Sequence, residues 1–144
     1  MGLQTIRQKL RDTLAEDEDI DAFFVAVVQN RPLNPNEEDG ITIFKRRVGE
    51  VRDQTGPDKK MTFTFDIICV MVRGNSDAGD VAQMEAYRLV CNCLSKEANK
   101  YLDCTVDGLE IKGARWDEET TSSGEAFYTT ITVEITAWLN AEDR

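Results

Sequence analysis

The chain has 144 residues and a mass of 16.3 kDa, is 41% hydrophobic and 31% charged, and sets 17 basic against 27 acidic side chains for a formal net charge of −10. That length suits a single domain over residues 1–144, one that buries about 68–70% of its unfolded surface and needs no metal or disulfide to fold. Histidine is absent, which excludes Ser-His and Cys-His nucleophile pairs and His-based zinc sites, and the acidic balance argues against nonspecific grip on nucleic acid or anionic lipid.

In chain order, Leu3, Ile6, Leu10 and Leu14 recur at steps of three and four, the stripe of an amphipathic helix ending near Ala15. Thr5 and Gln8 fit a T-x-x-Q capping box, while Leu3 in the stripe points to an earlier start. Ala22–Val28 is short, aromatic and rich in valine, which favours a strand, with a turn of helix through Phe24 as the alternative. Asn30–Gly40 holds Pro32, Pro35, Asn34 and Asn36 and reads as a loop.

Ile41–Arg52 and Met61–Arg73 are long β-prone runs separated by the turn-like Gln54–Asp58. In the second run Met61, Phe63, Phe65, Ile67, Cys69 and Met71 share one face. The other face passes from Thr62, Thr64 and Asp66 to Ile68, Val70 and Val72, so one half is expected to be covered on both sides and the other to project. The expected form is a long hairpin whose tip leaves the body of the domain, an edge that needs protection.

Asp77 or Ser76 is suited to cap the next helix, in which Val81, Met84, Tyr87, Cys91, Leu94, Ala98 and Tyr101/Leu102 form the apolar repeat. Thr105–Trp116 reads as a strand with Gly108 and Gly113 as possible bulges, and Asp117–Gly124 as a loop. The alternation of Phe127, Thr129, Ile131, Val133, Ile135, Ala137 and Leu139 is the strongest period-two signal in the chain. The expected fold is α+β, a mostly antiparallel sheet with two helices packed on one face and a long projecting β-hairpin.

Little in the chain asks for catalysis. Cys69, Cys91, Cys93 and Cys104 lie in apolar or periodic segments and read as buried reduced thiols. Cys91 and Cys93 would point about 200° apart on a helix and so cannot share one ion. Asp17, Asp19 and Asp21 begin like a calcium loop, but Ala22 and Val28 stand where Gly and Glu are required. Neither a phosphate-binding loop nor a dinucleotide fingerprint occurs, and no carboxylate pair stands in an apolar setting. No enzyme, cofactor or metal is expected; an Asp/Glu-bound metal enzyme is the weakest reading. No leader is visible in MGLQTIRQKL, and the apolar runs fall far short of the ~20 residues of a membrane helix, so a soluble intracellular protein is expected.

Charge is unevenly spread: residues 1–44 carry −5, residues 45–60 carry +3 and residues 61–144 carry −8. The basic island is Lys45, Arg46, Arg47, Arg52, Lys59 and Lys60, on the hairpin. It reads either as a solvated edge guarded by cations or as a positive arm reaching an acidic neighbour, most simply another copy of this chain. An arm on one patch and its acceptor on another makes a heterologous contact, which closes into a ring where the rotation allows.

In element order, length and texture, most of the chain resembles the tail-terminator family of long-tailed bacteriophages. The resemblance rests on the stripe Leu3–Leu14, the loop RPLNPNEEDGITIF at Arg31–Phe44 and the strand FTFDIICVMV at Phe63–Val72. It continues through GNSDAGDVAQMEAYRLV at Gly74–Val90 and the alternation around Ile131–Leu139. The family implies a virion protein of the tail or neck, assembled in the bacterial host cytoplasm. Its subunits form a homo-hexameric ring that caps the tail tube, ends its polymerisation and meets a neck or head-completion protein. DNA passes through the pore as cargo, and no membrane is involved.

A wall that lets DNA pass should repel phosphate. Three acidic runs are candidates for it: Glu16, Asp17, Glu18 and Asp19; Glu37, Glu38 and Asp39; and Asp117, Glu118 and Glu119. Tyr128 and Trp138, opposite the expected core, are candidates for burial by a neighbouring subunit or by a second helix layer. The alternatives to a tail terminator are another neck or tube component and an acidic protein–protein interaction module.

Overall fold

The computed structural model describes residues 2–33, 39–50, 59–102, 106–121 and 124–139. Helix α1 spans Leu3–Ala15, and its stripe Ile6, Leu10 and Leu14 is fully buried. Gly2 occupies the N-cap without a side-chain bond, so the Thr5–Gln8 box does not form. The buried side of α1 begins at Leu3, which packs against the core, and the first turn is drawn back to include it. Two arginines tie α1 to the sheet: Arg7 Nε donates to Gln29 Oε1 (3.2 Å) and Arg11 Nε to the Val27 carbonyl (2.9 Å).

The segment expected as one strand over Ala22–Val28 divides. Helix α2 covers Glu18–Phe23 and strand β1 covers Ala26–Gln29. Asp17 decides this, because its side chain caps α2 and Ile20 is then carried into the core.

Strands β2 (Gly40–Glu50), β3 (Lys59–Arg73), β4 (Gly108–Thr121) and β5 (Gly124–Leu139) complete one sheet in the order β1-β2-β3-β5-β4. All neighbours are antiparallel except β1 and β2, which run parallel from Ala26 opposite Gly40 to Gln29 opposite Ile43. The residues expected inside β3 and β5 are there: Phe65, Ile67, Cys69, Met71, Ile131, Val133 and Ile135 are all closed to solvent or nearly so. The class is therefore α+β, with the helices on one face of a mostly antiparallel sheet. A third helix, α2, joins the two anticipated.

Helix α3 spans Ser76–Ser95 and is capped by Asn75, whose Oδ1 accepts from the Ala78 amide (2.8 Å), not by Ser76 or Asp77. Of the anticipated stripe, Leu94 lies on the inner face of the helix and Leu102 is buried beyond its end, but the first half of the stripe does not face inward. Gly79, Ala82, Ala86, Leu89, Val90 and Cys93 face the sheet, whereas Val81, Met84 and Tyr87 face solvent. Small residues win this face because they let the helix approach closely: a Cβ on Gly79 would lie 2.2 Å from the Phe127 ring. The helix stops at Ser95, and a 3-10 turn over Glu97–Asn99 follows it.

Two further boundaries differ from expectation. β4 begins at Gly108 and continues through Asp117–Thr121, the stretch expected as a loop, with a bulge between Ile111 and Gly113. The turn expected over Gln54–Asp58 lies outside the described residues. β5 accompanies β3 as far as Leu139 opposite Lys59, so beyond β1 and β4 the described sheet continues as Glu50 of β2, Lys59–Met61 of β3 and Ala137–Leu139 of β5.

Candidate assembly surface

Along β2, where β3, β5 and β4 still run beside it, Lys45, Arg46 and Arg47 are exposed, and Lys60 of β3, beyond the start of β4, is half-buried. Arg52 lies outside the described residues, and Lys59 is placed by its backbone alone. β1 ends opposite Ile43, so among the described residues nothing pairs with the outer edge of β2 from Lys45 onward. A bulge at Arg46 twists this edge. Arg46 Nη1 donates to Thr132 Oγ1 (3.3 Å), which donates to Asp66 Oδ1 (2.8 Å), and the Arg46–Asp66 pair spans 3.8 Å.

The fold adds two cations that sequence spacing does not associate with this island. Lys112 and Arg115 of β4 border the same depression on the helix-free face of the sheet. One part of it, about 410 Å³, is lined by Arg46, Arg47, Thr64, Lys112, Thr132 and Glu134. The adjoining part, about 270 Å³, brings in Arg115 and Thr130. β3 and β5 lie between the two groups and carry the short Thr64, Thr130 and Thr132 there, with Glu134 of β5 placing one carboxylate among the cations. Lys112 and Arg115 have loose partners on their own strand, Glu110 at 3.6 Å and Asp117 at 3.4 Å.

The acidic candidates fall into different settings. Glu16, Glu18 and Asp19 are exposed. Asp17 is buried: its Oδ1 accepts from the Asp19 and Ile20 amides (3.0 Å each), and its Oδ2 accepts from Lys96 Nζ (2.7 Å). Burial alone would raise its pKa, but the Lys96 bond and the Ile20 amide outweigh it and hold the carboxyl below the ordinary value. Asp39 has a left-handed backbone (φ 62°) and accepts from the Val72 amide (3.3 Å) and Arg73 Nη1 (2.6 Å), closing the start of β2 onto the end of β3. Asp17 and Asp39 thus have structural partners. Glu37 and Glu38 lie outside the described residues.

Asp117, Glu118 and Glu119 are exposed on β4, which among the described residues pairs only with β5. The Tyr128 hydroxyl donates to Glu119 Oε2 (3.2 Å), and burial together with that carboxylate raises the phenol's pKa. Tyr128 is half-buried within its own sheet, whereas Trp138 is 50% exposed opposite Lys60, beyond the start of β4. Among the described residues the buried side chains of α1, α2 and α3 join one core with Ile131, Val133 and Ile135, which alternate with Tyr128 and Trp138 and so point to the other face of β5.

One apolar surface was not foreseen. Val81 (66% exposed), Met84 (59%) and Tyr87 line the outer side of α3, and the Tyr87 ring meets Trp116 of β4 edge-on at 6.1 Å. In sequence the spacing of Val81, Met84 and Tyr87 reads as a core stripe, whereas the fold leaves all three on the solvent side.

Of the thiols expected to be buried, Cys91 is only half-buried. Cys69 and Cys93 are buried, and burial raises both pKa values, Cys93 to about 12. Cys104 lies outside the described residues. Among the described residues no three Cys, Asp or Glu side chains gather into a group able to hold a metal ion, and no helix is long and apolar enough to cross a membrane.

Among solved structures, the chain is similar to a chain in the virion of a native gene transfer agent particle. The TM-score is 0.65 at 14% identity, covering 90% of this chain and 92% of that one. At this identity the likeness is one of fold. No protein-family model matches the sequence, and no curated protein matches it.

Proposed function

We propose that the chain is a structural subunit of a phage-like virion. Specifically, it is a tail terminator whose copies form a ring, a hexamer on the family pattern, that caps the tail tube and joins it to the neck. The observation that supports this most is the fold shared over nine-tenths of both chains with a component of a gene transfer agent virion. The surface is consistent with it: a basic edge at one end of the sheet and an acidic edge strand on the other side suit a heterologous contact between copies. On this reading the partners are further copies of the chain, the tube protein and a neck or head-completion protein. DNA crosses the pore without being held.

The test is addition of the purified chain to polymerising tail tubes of the same phage. A terminator stops elongation at a defined length and appears as an end cap in electron microscopy. Tubes that elongate unchanged contradict the proposal, and a chain that also stays monomeric then fits an acidic interaction module instead.

A further inference from the structure

We infer that the outer side of α3 together with the free edge of β4 is the acceptor for the basic β2 edge of a second copy of this chain. The inference rests on the ring reading above and names the two surfaces that meet.

The acceptor has an apolar centre, Val81, Met84, Tyr87 and Trp116, left open by the packing of α3 through its small residues. Exposed carboxylates rim it. Asp77 and Asp80 stand one turn before Val81 and Met84 on α3, and Glu118 follows Trp116 two residues along the same side of β4. Glu118, Glu119 and Glu125 border one depression with Ser76, so the acidic end of the β4–β5 hairpin lies beside the start of α3. The cation nearest this centre on α3, Arg88, is already paired with Glu85. A patch of this kind, apolar within and acidic around, selects a partner that is basic around an apolar side chain.

The β2 edge has that composition. Lys45, Arg46 and Arg47 are exposed, Val48 beside them is 52% exposed, and the backbone from Lys45 onward has an unpaired side. Among the described residues no strand pairs with the side of β4 away from β5. The β2 edge from Lys45 and the Asp117–Glu119 end of β4, past its cations Lys112 and Arg115, are edges of opposite charge with exposed apolar side chains, and they complement each other in backbone, charge and apolar area. The two surfaces lie on different parts of the molecule, so each copy can give one and receive the other.

A charge-swap experiment read by light scattering tests this. The arm variant Lys45→Glu/Arg47→Glu and the acceptor variant Asp80→Lys/Glu118→Lys change only exposed residues, and unchanged thermal melting checks that both fold. Each pair alone is expected to abolish the multimer peak, and all four substitutions in one chain are expected to restore it. If the wild-type multimer persists with either pair, or the fourfold variant stays dissociated, the docking is overturned while the ring reading stands. A wild-type chain that never assembles instead contradicts the ring reading itself, and the docking with it.

Discussion

At Asp17 a single carboxylate caps α2, binds Lys96 and fixes where the chain turns from α1 toward the sheet. Asp17→Ala should cost about 1–2 kcal/mol of stability by urea denaturation, the scale of a lost N-cap. Asp17→Asn should cost less, because asparagine keeps the cap and loses only the ion pair. The pH dependence has a definite sign. The folded carboxyl titrates below its unfolded value, so its contribution is present above the ordinary aspartate pKa of about 3.9 and is lost as pH falls through the folded value. Lys96 is shifted upward by the same pair, so its share persists below the ordinary lysine range and is lost as pH rises through the folded value. Denaturation followed from pH 6 down to 2 should therefore be shallower in Asp17→Asn than in wild type. An identical acid limb would contradict the assignment. In sequence Asp17 is one of four consecutive acids, and nothing in their composition tells a cap from a solvated charge. Its role becomes visible only once α2 exists.

At the scale of elements, strands with one buried face were legible and elements ruled by close approach were not. β3 and β5 alternate cleanly because helices cover one side, and their inward residues were identified directly. β4 beyond Gly113 carries Arg115, Asp117, Glu118 and Glu119, all exposed, so no hydrophobic period marks it. It is a strand because β5 offers a free edge, a non-local cause. In α3 the apolar repeat marks the buried Leu94 and, beyond the helix, Leu102, but its first half, Val81, Met84 and Tyr87, faces solvent, because contact with the sheet there requires Gly79, Ala82 and Ala86. Gly79→Val should therefore destabilise by about 1–3 kcal/mol in a denaturation series, the range for overpacking a closed core, since the buried Phe127 ring must yield. A neutral substitution would show that α3 sits further from β5. Amide exchange offers a second check: the β4 amides facing away from β5 should exchange fast in dilute protein and become protected on assembly, while β5 stays protected throughout. Fast exchange of β4 in the assembled state would leave that edge outside any contact.

For the whole molecule, the net charge of −10 conceals an arrangement. The basic island seen in sequence at Lys45–Arg47 is joined in space by Lys112 and Arg115, some 65 residues later in the chain. Only the order of strands brings these groups together, which is why the wider basic surface was not readable from spacing. Contacts that depend on exposed charges weaken as the Debye length shrinks from about 10 Å at 0.1 M salt to about 3 Å at 1 M. Assembly should accordingly be salt-sensitive, and the apolar centre around Trp116 should keep it from vanishing at moderate salt. The most direct test of a ring-forming subunit is its mass in solution, measured by light scattering at rising concentration in physiological salt. A ring-forming chain gives one closed species, six copies of the 16.3 kDa chain on the family pattern, with no continuing growth. A strict monomer at the highest concentration, or open-ended polymers without a limiting size, would contradict it.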